Sequence, residues 1–373
     1  MNEKLIGQNK EHPADIQPLR VLVCPDQPSW AFDNIAGNIT KFAGANKVSK
    51  QYMNDLIGNE EIFFQAIILK RIDLCHVFWR EDLFYLLDPD TITKSAKSLG
   101  FSYELLVRAI NSCAFTTSVY DHLHCEKTEL QERRASFSII DGYTVSSKKL
   151  FDIYAAEAEI PDPNLIITDG VDTDRFSPAD SPLPRRETFK IGWVGNTEWG
   201  KQSQGYDVKG YQRLFLPMLA ELRLKGFDIE PWVAAPAVNP IPFDEMPEFY
   251  RQMDVMICTS AMEGTPNPVL EAMASGVPIV STDVGIVPEA FGEAQQPFII
   301  HDEDVAPFAD AVASLLENHN KRVLISQENR QISLSWQWEA KSKLWWPFWN
   351  DVLTSVQDRR YNNRREHYLQ SLA

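Results

Sequence analysis

Glu263 and Glu271 stand eight positions apart in a stretch whose other residues give them something to do. Glu263 lies in a loop in which Thr265-Pro266-Asn267-Pro268 breaks the preceding element and opens a helix. A proline near the first helical position gives up no needed hydrogen bond. Glu271 falls in the first turns of that helix, predicted over Val269 to Ser275 with Gly276 as a left-handed stop. Such a helix N-terminus presents unpaired N–H groups and a positive dipole end, which suits a phosphate. Two carboxylates do not grip a diphosphate, but they accept hydrogen bonds from hydroxyls. Glu271 is therefore suited to a ribose and Glu263 to a second sugar. Taken alone, either glutamate reads equally well as an acidic complement to a solvated helix end.

The elements needed to hold this loop are present. Val255 to Ser260 reads as a strand feeding Glu263, and Val277 to Ser281 as a buried parallel strand with its proline at the start. Upstream, Phe189-Lys190-Ile191-Gly192-Trp193-Val194-Gly195-Asn196 reads as a strand into a glycine turn. Tyr211 to Leu224 carries apolar positions at helical spacing, and Ile229 to Ala235 is a further strand. Ala306 to Glu317 is an amphipathic late helix.

The stretch Glu263 to Gly292 resembles the signature of the retaining glycosyltransferases of family four. The match includes Glu263, Gly264, Pro266, Asn267, Glu271, Ala272, Met273, Ala274, Gly276, Pro278, Val280, Gly285, Pro288 and Glu289. The resemblance implies a GT-B fold, an α/β arrangement of two doubly wound Rossmann-like domains facing across a cleft. It implies transfer of a sugar from a nucleotide-diphosphate sugar to an acceptor hydroxyl with retention at the anomeric carbon. Glu271 would hold the ribose, Lys209 the diphosphate and Glu263 the donor sugar, with Gly264, Thr265, Pro266 and Asn267 forming the donor loop. The nucleobase would lie near Ile241-Pro242-Phe243, which makes Phe243 a donor-side residue. No cofactor and no metal are expected, because lysine and helix ends stabilise the leaving diphosphate.

Several positions depart from that pattern. The family's arginine after the second glycine is Asn196 here, which carries no charge. Its lysine has two candidates, Lys201 at the usual spacing and Lys209 just before the helix; Lys209 is preferred, and Lys201 or Arg213 would compensate for the missing arginine. The first βα loop lacks a glycine pair, so either Asn34 and its backbone approach the donor or the approach is looser. Where a histidine commonly contacts the donor sugar stands Tyr120, and His122 either takes that role after a small shift or the site works without it. Asp169 replaces an asparagine in the segment Asp169-Gly170-Val171-Asp172, read as structural.

In the first half, strands are predicted at Arg20 to Cys24, Asp73 to Trp79 and Phe115 to Val119, and Ile139 to Ser147 fits the resembling family's next strand and serine-rich turn. Ligands collect at the carboxyl ends of parallel strands, so Arg80 and Glu81 join Asn34 as acceptor-side candidates. His76, inside an apolar run, reads as a core histidine. His122, His124 and Cys125 lack a second ligand cluster, so no metal site is expected. The serine turn at Ser146-Ser147 caps a helix.

Residues 1–180 are expected to form an acceptor-side domain and 181–345 a nucleotide-sugar domain, with 346–373 a returning helix and basic tail. Pro178 to Pro184 would link the domains, and the tryptophan-rich stretch Trp336 to Val356 would cross back onto the first. At 373 residues, with 44% hydrophobic and 24% charged residues, the chain suits two cores. A net charge of −16 argues against a nucleic-acid partner. Five scattered cysteines suggest reduced thiols in a cytoplasmic protein. No stretch is apolar for long enough to span a membrane, which leaves peripheral contact at its inner face. The expected partners are a nucleotide sugar and a saccharide or lipid-linked acceptor, as in cell-surface polysaccharide or glycolipid assembly. The departures also motivate a second reading, a catalytically weakened GT-B subunit that binds a nucleotide sugar or a partner glycosyltransferase.

Overall fold

The computed structural model describes residues 18–180, 186–199 and 205–359, with side chains through 356. Residues 1–17, most of the expected linker, Lys201 and the basic tail from 360 lie outside the described residues.

Two parallel sheets organise the chain. The first has six strands, β1 (Arg20–Cys24), β2 (Lys47–Lys50), β3 (Leu74–Trp79), β4 (Ala114–Val119), β5 (Gly142–Val145) and β6 (Leu165–Ile166), in the order β2-β1-β3-β4-β5-β6. The second has five, β7 (Phe189–Val194), β8 (Ile229–Ala234), β9 (Val255–Cys258), β10 (Ile279–Thr282) and β11 (Ile299–Ile300), in the order β11-β10-β9-β7-β8. Read from its own first strand, the second sheet repeats the pattern of the first: the chain moves outward by one strand, then crosses to the other side. Both sheets are doubly wound, and each has a switch point beside its first strand.

Parallel strands need both faces covered, and the side chains divide accordingly. In β1, Leu22 and Cys24 enter one core with Phe63, Phe64 and Phe115, while Val21 and Val23 enter another with Ile35 and Ile39. In the second sheet Met256 and Cys258 face one side, and Val255 and Ile257 the other. Three strands escaped the sequence reading for physical reasons. β2, Lys-Val-Ser-Lys, is a charged edge strand without an apolar pattern. β6 and β11 are two residues each, too short for any period to show.

The helix read at Tyr211 to Leu224 begins instead as a wide π-turn, Tyr211–Phe215, and becomes α-helical over Leu216–Leu224. Pro217 has no N–H to give and would clash in a regular ladder; the wide turn, with Phe215 N–H on the Gly210 carbonyl at 3.0 Å, accommodates it. His76 is fully buried, its ring 3.0 Å from Thr116 Oγ1 and 4.7 Å from the Trp345 ring.

The chain crosses between the sheets twice. Val171 and Phe176 leave the first sheet and pack in the core of the second with Trp336. The return runs through helices Trp338–Ser342 and Trp345–Arg359, and Trp338, Trp345, Phe348, Trp349, Val352 and Val356 cover the β1 face of the first sheet. The two crossings bind each other, since the Val171 N–H donates to the Trp336 carbonyl at 2.8 Å. Among the described residues no helix is long and apolar enough to cross a membrane.

Trp349 is completely buried in this returning layer. Trp349→Ala should lower unfolding stability by about 3–5 kcal/mol, measured by denaturant titration.

Candidate functional site

The switch point of the second sheet lies between β7 and β9, and a cavity of about 280 Å3 opens at their carboxyl ends. Trp193, Asn196, Trp199, Lys209, Thr259 and Glu263 are among its walls. Lys209 is placed there by its backbone. Its carbonyl accepts from Thr259 Oγ1 at 2.7 Å, and Thr259 Oγ1 itself accepts from the Trp193 indole at 3.0 Å. Gly210 follows at φ +71°, and a Cβ there would lie 2.2 Å from the Thr259 carbonyl, so only glycine permits this approach. Asp207 accepts from the N–H groups of Gln212 and Arg213 at 2.6 and 2.9 Å and closes the turn. The result brings Lys209 Nζ to 2.5 Å from Glu263 Oε1 and 4.9 Å from the centre of the Trp199 ring. A lysine and a carboxylate in contact at a cavity wall offer a cation for phosphate and an acceptor for sugar hydroxyls.

A second cavity, about 190 Å3, adjoins the first at Asn267, which lines both. Glu271 and Phe243 lie in its walls with Arg175, Asn34 and Asn38. Glu271 accepts from the Tyr250 hydroxyl at 2.7 Å. Burial pushes its carboxyl up to about 7, against the opposing pull of Tyr250 and Arg175. Arg175 stacks 4.1 Å from the Phe243 ring centre, donates to the Phe243 carbonyl at 3.1 Å and pairs with Asp244. Phe243 stays exposed, presenting a flat apolar face backed by a guanidinium, as a base would need.

The loop between the cavities meets the first sheet's domain. A Cβ on Gly264 would lie 2.0 Å from the Tyr120 carbonyl oxygen and 2.2 Å from Ser146 Oγ. His122 follows Tyr120 and faces the same seam: Glu263 and Lys149 both act on it electrostatically, burial lowers its pKa, and its Nδ1 has no partner among the described residues. The helix Lys148–Ala155 closes the seam further along. Its first N–H donates to Glu289 at 3.1 Å, and Lys149 pairs with Asp283 at 2.5 Å.

The structure separates some predicted residues from this site. Arg80, expected on the acceptor side, is fully buried; it donates to the Leu123 carbonyl, lies 3.5 Å from Asp121 and supports the loop carrying His122 from beneath. Glu81 pairs with Arg133 at 2.8 Å. Both lie at the start of a helix, Arg80–Leu86, whose first turn folds back on its own domain. Asn34 lies against the cavity of Glu271 and Phe243; its loop still makes a left-handed turn, at Ser29 with φ 65°. Arg213 pairs with Glu303 at 2.6 Å and lines neither of these two cavities. Asn196 lies in the wall, its side chain accepting from the Glu198 N–H at 2.9 Å. Lys201 lies outside the described residues.

Asp169, read from sequence as structural, is bonded to the loop between the two cavities. It is 5% exposed, its N–H donates to Thr265 Oγ1 at 3.3 Å, and Asn267 Nδ2 donates to its carboxyl at 3.2 Å. The signal was an acidic residue in an apolar segment otherwise shaped for a turn. Burial pushes this carboxyl up to about 7, with Asn267 pulling the other way.

Two outcomes are expected. Gly264→Ala should lower unfolding stability by about 1–3 kcal/mol, because the added carbon would lie 2.0 Å from the Tyr120 carbonyl and force the seam apart; an unchanged melting curve would show that the close approach is not required. Because the folded carboxyl of Asp169 binds its proton more tightly than the unfolded one, its stabilising contribution is complete below pH 3.8 and lost as pH rises through about 7. Asp169→Asn should therefore change unfolding stability little at pH 4 and raise it by on the order of 1–2 kcal/mol at pH 8, read from paired melting curves.

With that geometry established, known proteins give a consistent picture. Residues 238–332 match the family Glycosyl transferases group 1. The lipopolysaccharide core biosynthesis mannosyltransferase LpsB of Rhizobium meliloti is 29% identical over 185 residues, 42% of this chain and 51% of that protein. A D-inositol 3-phosphate glycosyltransferase of Corynebacterium urealyticum is 29% identical over 106 residues, 28% of this chain and 25% of that protein. The matched segments thus span about half or less of these relatives' lengths. Across the whole fold, sucrose-phosphate synthase from Thermosynechococcus elongatus superposes with a TM-score of 0.64 at 12% identity, covering 90% of this chain and all of that one (100%). Anabaena HepE in complex with UDP does so with a TM-score of 0.61 at 12% identity, with coverage of 90% and 100%. Residues 238–332 thus carry the match to the glycosyl transferases group 1 family, and the chain as a whole has the GT-B fold.

Proposed function

We propose that the chain is a retaining glycosyltransferase moving a sugar from a nucleotide-diphosphate sugar to an acceptor hydroxyl. The observation that carries this reading is the pair of adjoining cavities at the carboxyl ends of the second sheet. One offers a carboxylate and an aromatic face, for ribose and base; the other offers Lys209 and Glu263, for the diphosphate and the sugar.

In this reading, the bond between the anomeric carbon and the diphosphate oxygen breaks while a bond to the acceptor oxygen forms. The acceptor proton ends on the released diphosphate or in solvent. Lys209 and the N-terminus of the Asn267–Ala274 helix stabilise the charge that develops on the leaving group, so the reaction needs no metal. Donor phosphate competes with Glu263 for Lys209, which frees Glu263 to accept from sugar hydroxyls. His122, at the seam, contacts the sugar from the first domain.

UDP-sugars are the first candidates, because HepE, similar in fold, has been seen with UDP and with UDP-glucose. A saccharide or lipid-linked acceptor, used at the inner face of a membrane in polysaccharide or glycolipid assembly, fits relatives such as the lipopolysaccharide core mannosyltransferase. A second reading, a weakened subunit that binds donor without much transfer, is favoured by Asn196 alone: it puts no charge where a second cation would face the diphosphate.

A panel of UDP- and GDP-sugars tests both. One donor should raise the melting temperature and be slowly hydrolysed, and Glu271→Ala should weaken its binding by about 10- to 100-fold. Stabilisation without hydrolysis or transfer, with acceptors supplied, would favour the subunit. No response from folded protein to any donor would overturn the donor reading.

A further inference from the structure

Asn267 lines both cavities, at the point where a donor would pass from nucleoside to transferred sugar. A side-chain amide has two different ends, and which end faces a ligand decides what the ligand must be. Here the orientation is set from the first domain. Asn267 Nδ2 donates to Asp169 Oδ2 at 3.2 Å, while Asn267 Oδ1 is buried with no partner among the described residues.

Asp169 holds its place by packing. A Cβ on Gly170 would lie 2.8 Å from Trp338 Cα, so the turn is pressed against the returning helix. Val171 exchanges hydrogen bonds with the same crossing, its N–H to Trp336 at 2.8 Å and its carbonyl from the Trp338 N–H at 3.3 Å. On its other side Asp169 donates through its backbone to Thr265. The carboxyl cannot withdraw, and above about pH 7, where it is ionised, it only accepts, so the NH2 end of Asn267 must face it. An asparagine at 169 would impose no such polarity: its own NH2 could face residue 267, and the Asn267 amide would be free to turn over.

We propose that Asp169 is a positioning residue that fixes the Asn267 amide with its oxygen toward the donor, so that the site accepts a hydrogen bond from a hydroxyl of the transferred sugar. This inference rests on the nucleotide-sugar reading above. An acceptor oxygen at the junction repels phosphate oxygens, which are themselves acceptors, and directs the diphosphate toward Lys209 and the helix end. The ribose hydroxyls already have the Glu271 carboxylate, which leaves a hydroxyl of the second sugar as the partner for Asn267.

The test compares nucleoside diphosphate with nucleotide sugar, using UDP with UDP-glucose and GDP with GDP-mannose, by calorimetry on the full chain at about pH 8, where the Asp169 carboxyl is ionised. Asp169→Asn should weaken the responsive nucleotide sugar by roughly 3- to 10-fold and change the matching diphosphate less than about twofold. Asn267→Ala should show the same split, and the double variant should lose little more than either single one. Equal losses for sugar and diphosphate, or none, in wild-type-like folded variants would overturn the role of Asp169 while leaving the donor reading standing. If Asp169→Asn does not fold, Asn267→Ala alone decides between those outcomes. Failure of the wild-type chain to bind either pair would overturn the donor reading and this role together.

Discussion

The close approach at Gly264 is the constraint on which the site depends. The loop carrying Glu263 lies so near the Tyr120 carbonyl and the Ser146 hydroxyl that no side-chain carbon fits between them. It is equally tight from behind, where a Cβ on Gly285 would lie 2.1 Å from the Gly264 carbonyl. A backbone ribbon is thereby held between two domains, and the Ile286 N–H takes the Gly264 carbonyl at 3.1 Å. Because the loop is fixed on both faces, Glu263 and Asn267 keep defined directions, and Lys209 meets Glu263 at one wall.

That seam is closed by charge as well as by shape. Lys149 reaches Asp283 across it, Glu289 sits on the first N–H of the Lys148–Ala155 helix, and His301 lies 3.2 Å from the same Asp283. Partly exposed pairs of this kind contribute little stability individually. Their value is geometric: they set how far the two sheets can part. The aromatic return helix supplies the stronger bond between domains, because Trp345 and Trp349 are buried against the first sheet while Trp336 is buried in the second domain's core. The buried carboxyls of Asp169 and Glu271 are tolerated because each has a hydrogen-bond donor, Asn267 and Tyr250 respectively.

The local pattern carried much of this. Continuous apolar runs marked the central strands of both sheets, since a strand covered on both faces has no polar side to show. Edge strands β2 and β11 stayed hidden because they are charged or very short. The Glu263 to Gly292 stretch was legible as a loop, helix start and strand around two carboxylates because these follow one another within a few residues. Arg80 was misread for the opposite reason. Its position at the end of β3 is what a cleft residue would have, yet its side chain turns inward to Leu123 and Asp121.

By itself, then, the sequence determined two doubly wound α/β halves and the loop and helix start that carry Glu263 and Glu271, because strand burial, helix starts and glycine turns are short-range consequences of residue type. Tertiary structure decided which groups meet. Asp169 reaches Asn267 across 98 positions of chain and Lys209 meets Glu263 across 54, and only the folding of one domain onto the other, or of one loop onto another, brings them together. Side-chain direction at the ends of β1 and β3 was likewise decided by packing, which turned Asn34 toward the cavity of Glu271 and Phe243 and buried Arg80 beneath the His122 loop. Contacts between residues far apart in sequence leave no period or spacing to read, and the polarity of the site is set by such contacts.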